Sequence, residues 1–459
     1  MALACGPEFS TPDEGPFALA PGESLQVRIP YRPKDRGDDK CVVSFGAEWC
    51  EDVRVTATAS RVWEIQEDGL GDAPTVQAGI DSAGHGDVVL VGPGTYYENV
   101  NLRGKAIHLK SAEGPETTIL DGSREDLPVV MCHSMESNDT IIEGFTITGG
   151  RGWSTRTPDS KLGGGIHCFP AAPTIRGNII CRNSAGQPGG PMGNSRGGGI
   201  SFRGPESLPP CIIEDNVIRE NFSSRNSGGI NIGHAAIIQR NTIAWNRTVG
   251  GDGGGIYLLI SKMPVIIRDN VVLGNTSGDH GGGMYLSGGE DIEVYGNLLL
   301  GNTSSTLLAN DCSGAAIWAS RLIGNGSILI HHNTIIFNTA VNIGVSPSAG
   351  GVCVAWKTGA IAVTQNLIFG NQGGGVVTFA FGNMLGTASV LRNLISENGG
   401  PNIWNSHAEL VDVEENLHAD PHLCDGVNNT SGRVAGESPA LTQPFGVIGA
   451  FPEPGCTEP

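Results

Sequence analysis

Short apolar runs recur along the chain from about residue 163, and a glycine-rich turn precedes the first run of each group. These turn-and-strand phrases read GGGIHC, GGGISF, SGGINI, GGGIYL, GGGMYL, SGAAIW, GGVCVA and GGGVVT. Two further apolar runs follow in each group, and the last has three or four residues. Runs of this length between turn residues are typical of β-strands. The pattern therefore predicts three short strands in every repeat.

Pairs of asparagines mark the ends of the second and third strands in each repeat. The two members of a pair are five residues apart, and the pairs are Asn178 and Asn183, Asn216 and Asn221, Asn241 and Asn246, Asn270 and Asn275, Asn297 and Asn302, Asn333 and Asn338, Asn366 and Asn371, and Asn393 and Asn398. The repeat averages about 31 residues, within the range of solenoids. We expect the asparagines to adopt left-handed conformations at corners and to bond their counterparts above and below.

Strand stacking gives this repeat one consistent architecture. Three strands make a triangular coil, and successive coils lie about 4.8 Å apart, as paired strands do. Parallel crossovers favour the right hand. A leucine lattice and the longer four-stranded units of propellers are both absent. The sequence therefore predicts an all-β fold, a right-handed parallel β-helix solenoid of about ten coils.

A short amphipathic helix is predicted before the repeats, within PTVQAGIDSAG. Pro74 starts it, and Val76, Ile80 and Ala83 have helical spacing. A helix there covers the open edge of the first coil. The order of this helix, a Gly-Asp-Val strand and the phrase PGTYYEN resembles the start of right-handed parallel β-helix proteins of the pectate-lyase-like and pectin-methylesterase-like group. The resemblance covers roughly residues 73 to 400 and implies the fold, but no particular activity.

Three regions are predicted along the chain. Residues 1 to 60 contain short alternating strands in LQVRIPYRP, KCVVSFG and EDVRVTATAS, which predict a small β-sandwich. The phrase FALAPGESLQVRIPYRP resembles the final strands of immunoglobulin-like domains in secreted bacterial proteins, which implies a partial domain of that type. Residues 61 to 410 form the predicted β-helix, and residues 411 to 459, rich in proline, are expected to form an irregular C-terminal cap.

The charge and the hydropathy of the chain limit the kinds of molecule with which it can associate. The chain has 459 residues, a formal charge of −19 and a pI near 4.9. Because a phosphate-binding face needs clustered Lys and Arg, this charge argues against a nucleic-acid partner. No run of 18 apolar residues predicts a membrane span. We expect no signal peptide within this chain, and the resemblance implies an extracellular or cell-surface location.

The eleven cysteines include no CxxC pair, which removes the usual zinc and thioredoxin-like signatures. Cys41 with Cys50, and Cys424 with Cys456, are candidate disulfides. Four others fall in strand-like segments, where a small buried apolar side chain is expected: Cys168, Cys181, Cys211 and Cys353.

The glycine-rich phrases also predict an outward-facing row. If the first apolar residue of each phrase points inward, the next points outward. The outward row is then His167, Ser201, Asn231, Tyr257, Tyr285, Trp318, Cys353 and Val377. Three consecutive aromatic residues in it, Tyr257, Tyr285 and Trp318, predict a flat strip on which sugars stack, with His167, Arg203 and Asn231 as further substrate-binding residues. The alternatives are a ladder of aromatics that stabilises the sheet, or a strip covered by a loop.

The turns before these strands carry ionisable candidates. Asp252 and Asp279 occupy nearly equivalent places on adjacent coils, and His280 follows the second. Their carboxylates can approach within about 5 Å, the separation that retaining glycosidases use for acid and nucleophile. The same two aspartates are a candidate calcium site, the one cofactor that the sequence suggests. The simpler alternative is that Asp and His favour tight turns before glycine.

Lyase chemistry needs other groups: a base that removes the proton beside a uronate carboxylate, and a cation that neutralises this carboxylate. Tyr257, Tyr285 and His280 are candidate bases, with Arg203 or Arg225 as the cation. We therefore expect a secreted carbohydrate-active protein that binds and cleaves a polysaccharide, by lyase or glycoside hydrolase chemistry, in a groove along one sheet. The alternative is a non-catalytic surface protein, a rod that binds glycans or spaces other modules.

Overall fold

Three long parallel sheets, here called A, B and C, lie side by side through the chain. The computed structural model describes residues 2–5, 37–44, 53–154, 159–190, 193–259, 263–288, 290–306, 312–321, 326–342, 348–380, 386–406, 411–423, 434, 438, 440 and 448–450. Within these residues, sheets A, B and C have 11, 13 and 11 strands, and a smaller parallel sheet D has six. The complete middle coils pass from A through B, C and D before returning to A one strand further on. The chain is therefore a parallel β-helix, as the repeat predicts.

The strands of these sheets have two to eight residues each. Sheet A comprises Val100–Asn101, Val130–Cys132, Ile166–Cys168, Ile200–Phe202, Ile230–Ile232, Ile256–Leu259, Met284–Ser287, Ile317–Arg321, Ala349–Trp356, Gly374–Ala380 and Ile403–Asn405. Sheet B comprises Val62–Ile65, Val88–Val91, His108–Ser111, Ile141–Glu143, Thr174–Arg176, Cys211–Glu214, Ala236–Gln239, Val265–Arg268, Ile292–Tyr295, Ser327–His331, Ala360–Thr364, Thr387–Leu391 and Val411–Asp412. Sheet C comprises Gly94–Tyr96, Thr118–Asp121, Thr146–Thr148, Ile179–Cys181, Val217–Arg219, Thr242–Ala244, Val271–Leu273, Leu298–Leu300, Thr334–Ile336, Leu367–Phe369 and Leu394–Ser396.

Sheet D is a feature that the three-strand prediction missed. Its strands follow the second asparagine of a pair and are Ser184–Ala185, Phe222–Ser223, Arg247–Thr248, Thr276–Ser277, Thr303–Thr306 and Thr339–Asn342. They are mostly two residues long and polar, so the hydrophobic pattern gives no sign of them. A two-stranded antiparallel hairpin, Trp153–Ser154 with Lys161–Leu162, projects beside them.

The interior of the helix is built from the inward-facing residues of the three large sheets. The predicted inward row of sheet A is completely buried and in register: Ile166, Ile200, Ile230, Ile256, Met284, Ile317, Val352 and Val376. Together with their counterparts in sheets B and C they form one continuous apolar core. The register prediction is therefore confirmed.

The glycine-rich turns bring successive coils into backbone contact. Gly253 has a φ of +67°, which favours a residue without a side chain. A Cβ on the following Gly254 would clash with the carbonyl oxygen of Gly282 in the next coil. The repeated triglycine is thus a requirement of close packing at the entrance to sheet A.

The asparagine pairs form two buried ladders that run through the stack. Asn246 donates from its backbone N and its Nδ2 to Oδ1 of Asn275, at 2.9 and 3.0 Å. Asn275 repeats both bonds to Asn302 at 3.0 and 3.0 Å. The predicted vertical stacking is confirmed, and Asn416 extends the first ladder by one further coil, accepting from Asn393 at 3.0 Å.

The expectation that the ladder asparagines adopt left-handed conformations is wrong. No ladder asparagine is among the described residues with positive φ, whereas the residue directly before each ladder asparagine is. Five of these preceding residues are glycines and twelve are not: Arg182, Asp215, Glu220, Arg240, Trp245, Asp269, His332, Phe337, Gln365, Arg392, Glu397 and Glu415. Most ladder asparagines also donate to the carbonyl oxygen two residues earlier, as Asn178 does to Arg176 at 2.9 Å. This bond spans the left-handed residue, which is why non-glycine residues are held there.

The predicted capping helix is present and spans Val76–Ser82. The carboxylate of Glu98, from the PGTYYEN phrase, accepts from the backbone N of Val76 and Gln77 at 2.9 and 3.0 Å. At the other end, Nζ of Lys105 donates to the carbonyl oxygens of Ile80, Asp81 and Ala83, each at 2.7 Å. The anion and the cation each complement the helix dipole. The phrase that carries the family resemblance thus fastens the helix to the first coils.

The N-terminal region contains a three-stranded antiparallel sheet of Ala2–Cys5, Gly37–Ser44 and Val53–Ala59. LQVRIPYRP lies outside the described residues, so the immunoglobulin-like domain stays a prediction. Cys41 is disulfide-bonded, while its proposed partner Cys50, and Cys424 with Cys456, also lie outside the described residues.

The cysteines of the repeats follow the prediction with one exception. Cys168, Cys181 and Cys211 are free and buried, as expected. Cys353 is instead joined to Cys312 by a disulfide across 41 residues. The expectation of a simple apolar role for Cys353 was therefore wrong, because Cys312 lies in the turn one coil earlier, where no strand pattern indicates it.

The described part of the C-terminal tail packs on the outer face of sheet C. Val434, Ala440 and Ile448 are buried there in a second apolar cluster, with outward-facing residues of the last coils. Ala450 donates from its backbone N to Oγ1 of Thr334 at 3.0 Å. These residues therefore cover one side of the solenoid. No helix among the described residues is long and apolar enough to cross a membrane.

The ladder makes a strong prediction about stability. Asn275→Ala removes the Oδ1 acceptor of two buried donors on Asn246 and the donors that Asn275 presents to Ile243 and Asn302. Because buried unsatisfied groups cost about 1–3 kcal/mol each, we expect a loss of about 2–5 kcal/mol, measured by urea unfolding. Glu397→Gly, at a left-handed corner beside Asn398, is the matched control and should be neutral or slightly stabilising. Equal effects of the two changes would refute the importance of the ladder.

Candidate functional site

The outward row of sheet A lies where the sequence places it. The row pairs in register from His167 through Ser201, Asn231, Tyr257, Tyr285, Trp318 and Cys353 to Val377. Strand pairing therefore brings every predicted site residue of this row onto one wall of the solenoid. The side chains of that wall divide into an aromatic stack, a cluster of acidic residues and histidine, and a groove.

The aromatic stack consists of Tyr257, Tyr285 and Trp318. The ring centroids of Tyr257 and Tyr285 are 5.0 Å apart at 21°, and those of Tyr285 and Trp318 are 4.4 Å apart at 12°. The faces of the rings therefore cover one another along the helix axis, and Tyr257 and Trp318 are each only 3% exposed. This geometry is that of the stabilising ladder. Stacking occupies ring faces that a sugar would use, and the sugar platform at these three residues stays a prediction.

The acidic cluster consists of Asp252, Asp279 and His280. The predicted proximity is found: Nδ1 of His280 lies 3.0 Å from Oδ1 of Asp252 and 3.2 Å from Oδ1 of Asp279. Both carboxylates thus contact one buried imidazole between them. The ligand atoms of the three residues lie within 4.8 Å of one another and could hold a metal ion. A set that includes imidazole suits a transition metal better than calcium, which prefers oxygen, so calcium at Asp252 and Asp279 stays a prediction.

A groove opens on the same wall, beside the aromatic stack. It consists of two cavities of about 620 and 170 Å³, both lined by Arg196, Arg203 and Asn231. His167 and Phe169 line the smaller cavity. The three residues predicted to bind substrate, His167, Arg203 and Asn231, therefore meet in one groove, whereas neither cavity is lined by the acidic cluster. We call this surface the arginine groove.

Two arginines and one carboxylate, that of Glu206, are the charged residues that line the groove. Arg203 follows strand Ile200–Phe202, and its guanidinium lies 5.9 Å from the ring of Phe169. Arg196 precedes the triglycine turn, donates to Oδ1 of Asn194 at 3.1 Å and lies 5.8 Å from the ring of Tyr257. Arg196 therefore connects the groove with the first member of the aromatic stack. Arg225, the other cation considered for a lyase, acts electrostatically on Tyr257 but lines neither cavity.

Exposed aromatic surface is found at Phe169, which lines the smaller cavity, and at Trp153 near His167, rather than in the aromatic stack. Phe169 is 48% exposed and Trp153, on the projecting hairpin, is 39% exposed. The rings of Trp153 and His167 are parallel within 7° at 6.4 Å. Phe169 and Trp153 therefore present partly exposed rings of the kind that sugars contact.

His167 is held in its neutral form. It is 2% exposed, and burial together with the nearby His133 lowers its pKa to about 3. Among the described residues its Nδ1 has no hydrogen-bond partner. His167 therefore keeps one buried, uncharged nitrogen beside the smaller cavity.

Tyr257 is held in its protonated form. Burial is the largest influence and raises its pKa to about 12, while Arg196 opposes the shift and Asp252 adds to it. At neutral pH its hydroxyl can donate a proton and cannot act as a standing base. This weakens its assignment as the base of a lyase and leaves a role as proton donor.

Sequence reasoning missed Arg196, Phe169, Trp153 and His133. Phe169 and Arg203 stand at the same place in their coils, two residues after the outward row, so that second row carried a usable signal. Arg196 belongs to a loop and Trp153 to the antiparallel strand pair, and the repeat defines the path of neither. Arg196 and Trp153 reach the site through contacts with side chains of neighbouring coils, which the repeat pattern does not encode.

Comparison with known proteins agrees with this architecture. A family model described as the right handed beta helix region matches residues 198–395. The chain is a right-handed parallel β-helix. Among solved structures, the A-module of the mannuronan C-5 epimerase AlgE6 of Azotobacter vinelandii is 18% identical, with a TM-score of 0.42, over 75% of this chain and 94% of that one. Pectin methylesterase from carrot is 12% identical, with a TM-score of 0.28, over 80% and 90% of the two chains. No curated protein sequence matches the chain.

Because His167 is neutral in the folded β-helix, we expect the free energy of unfolding to decrease at acidic pH. Its pKa is about 3 in the folded chain and near 6.5 when unfolded, so between these values the unfolded chain binds the extra proton. Stability from this residue is complete above pH 6.5 and falls as the pH drops toward 3, by up to about 1.4 kcal/mol per pH unit. His167→Asn, which copies Asn231, should flatten the dependence in urea unfolding between pH 7 and pH 4. An unchanged slope would contradict the assignment.

Proposed function

We propose that this β-helix binds a polysaccharide that carries carboxylate groups, in the arginine groove over sheet A. The observation that carries the proposal is the meeting of Arg196 and Arg203 in one groove of a chain whose formal charge is −19. Two cations gathered in a concave surface of an acidic protein select for a local anion. The acidic remainder of the surface repels polyanions that do not fit this groove.

The other groove residues suit the uncharged parts of a sugar. Phe169 and Trp153 offer ring faces for C–H bonds. The amide of Asn231 donates to Oγ of Ser201 at 3.0 Å and keeps its carbonyl oxygen for a hydroxyl. The guanidinium groups can bind carboxylates through two parallel hydrogen bonds, which gives orientation as well as affinity.

For cleavage we favour lyase chemistry over hydrolysis. A lyase needs a base that removes the proton beside the uronate carboxylate, a cation that stabilises the charge developing on this carboxylate, and a proton donor for the leaving oxygen. Arg196 lines the groove and supplies the cation, and the protonated Tyr257, which lines neither cavity but has its ring 5.8 Å from the guanidinium of Arg196, supplies the proton donor. The base is a group other than these two. Hydrolysis needs two carboxylates beside the scissile bond. Asp252 and Asp279 instead contact His280 and line neither cavity.

Non-catalytic binding is the alternative function, and it is favoured by a different observation. Tyr285 and His280, the other candidate bases, lie in the aromatic stack and the acidic cluster, outside both cavities. A groove that holds the glycan without a base produces retention and no products. Binding and cleavage therefore have separate readouts.

We expect Arg203→Ala to weaken retention by polygalacturonate or alginate in affinity electrophoresis about tenfold or more, because each charge-assisted hydrogen bond contributes about 1.5–3 kcal/mol. Arg268→Ala, on sheet B and paired with Asp269 at 3.0 Å, makes the same charge change outside the groove and should have little effect. Neutral dextran should not be retained. Equal losses in both variants would show that the retention is non-specific.

Incubation of the protein with the same polysaccharides distinguishes a lyase from a hydrolase and from a binding protein. Ultraviolet absorbance from unsaturated products indicates a lyase, new reducing ends without that absorbance indicate a hydrolase, and retention without products indicates a binding protein. Tyr257→Phe should abolish unsaturated products and preserve retention if Tyr257 is the proton donor.

A further inference from the structure

A pair of adjacent histidines on sheet B lies away from the groove and takes no part in the proposed function. His331 ends strand Ser327–His331, and His332 is the left-handed corner residue before Asn333. The Nδ1 atoms of the two imidazoles lie 2.8 Å apart, with the rings at 79°. Two imidazole nitrogens thus form a hydrogen bond and lie close enough together to bind one ion once the shared proton has left.

We propose that His331 and His332 bind a divalent copper ion through their Nδ1 atoms. With metal–nitrogen bonds of about 2.0 Å, two ligands at a right angle are about 2.8 Å apart, whereas two tetrahedral ligands are about 3.3 Å apart. The observed separation matches the first arrangement. Square-planar or tetragonal nitrogen ligation is typical of Cu²⁺ and Ni²⁺, and Cu²⁺ is the more tightly bound of the two.

A carboxylate supports the first ligand from behind. Oε1 of Glu293 lies 3.1 Å from Nε2 of His331. This contact keeps the proton of His331 on Nε2 and leaves the lone pair of Nδ1 for a metal. Metal-bound histidines are commonly oriented by such a carboxylate. The ring of Tyr295, from the same strand as Glu293, stacks on the ring of His331, 5.1 Å away at 18°, and restricts its rotation.

The asparagine ladder fixes the backbone of the pair. Nδ2 of Asn333 donates to the carbonyl oxygen of His331 at 2.9 Å, and the backbone N of Gly296 donates to that of His332 at 3.1 Å. Without metal, Nδ1–H of His332 donates to Nδ1 of His331. Binding of the ion requires that this proton move to Nε2 of His332 and that the rings turn so that both lone pairs face the ion, and both rings stay neutral. The site is therefore preorganised, with water as the remaining ligand.

Titration with CuCl₂, followed by calorimetry and electron paramagnetic resonance, tests the proposal. We expect a site with a tetragonal signal split by two nitrogens, distinct from any copper bound at the acidic cluster. His332→Gly and His331→Thr copy residues that the chain uses at the same places in adjacent coils, Gly296 and Thr364, and each should weaken binding at least tenfold. Glu293→Gln should weaken it about tenfold.

Two control variants test whether copper binds at another histidine or at the acidic cluster instead. His108 on the same sheet also contacts a carboxylate, Glu143 at 2.9 Å, but is not adjacent in sequence to a second histidine, so His108→Ala should leave copper binding unchanged. Asp252→Asn tests the acidic cluster. The proposal is overturned if copper shows no two-nitrogen signal, or if Asp252→Asn, and not His332→Gly, removes that signal.

Discussion

The buried asparagine ladders are the constraint on which the rest of the structure depends. Asn270 accepts two hydrogen bonds from Asn241 and donates two to Asn297, and it also donates to two carbonyl oxygens. These polar groups are satisfied only when an asparagine occupies the same corner one coil away. The ladder therefore fixes the height and the rotation of each coil, and one substitution leaves donors unpaired on a neighbour.

The asparagine ladders fix the corners of each coil, while the loops between the corners can vary in length. The first asparagines are 25 to 38 residues apart, whereas the two members of a pair are always five apart. Insertions accumulate where sheet A begins and ends, and there they form the flanks of the arginine groove, including Arg196 and Glu206. The solenoid can thus gain or lose surface features without a change in its core, because neighbouring coils meet through the same strands and ladders.

The sequence could predict whatever the repeat determines. It placed the inward row from Ile166, the outward row from His167 and the meeting of Asp252 with Asp279, because strand alternation and coil stacking are periodic. It could not predict how side chains rotate once they meet. Stacking of Tyr257 on Tyr285, the insertion of His280 between two carboxylates and the bond from Cys312 to Cys353 depend on side-chain torsions and loop paths, which no periodicity encodes.

Stacking also explains why the groove lies where it does. In a parallel β-helix each outward side chain has its counterpart about 4.8 Å away, so large flat residues in a row cover one another and leave no free face. A cavity forms where the side chains along the outward row become smaller. Between His167 and Tyr257 the row contains the smaller Ser201 and Asn231, and all but Tyr257 line the cavities. A binding surface on this fold is therefore indicated by small polar residues that interrupt a row of large ones, and a run of aromatics indicates a stabilising stack.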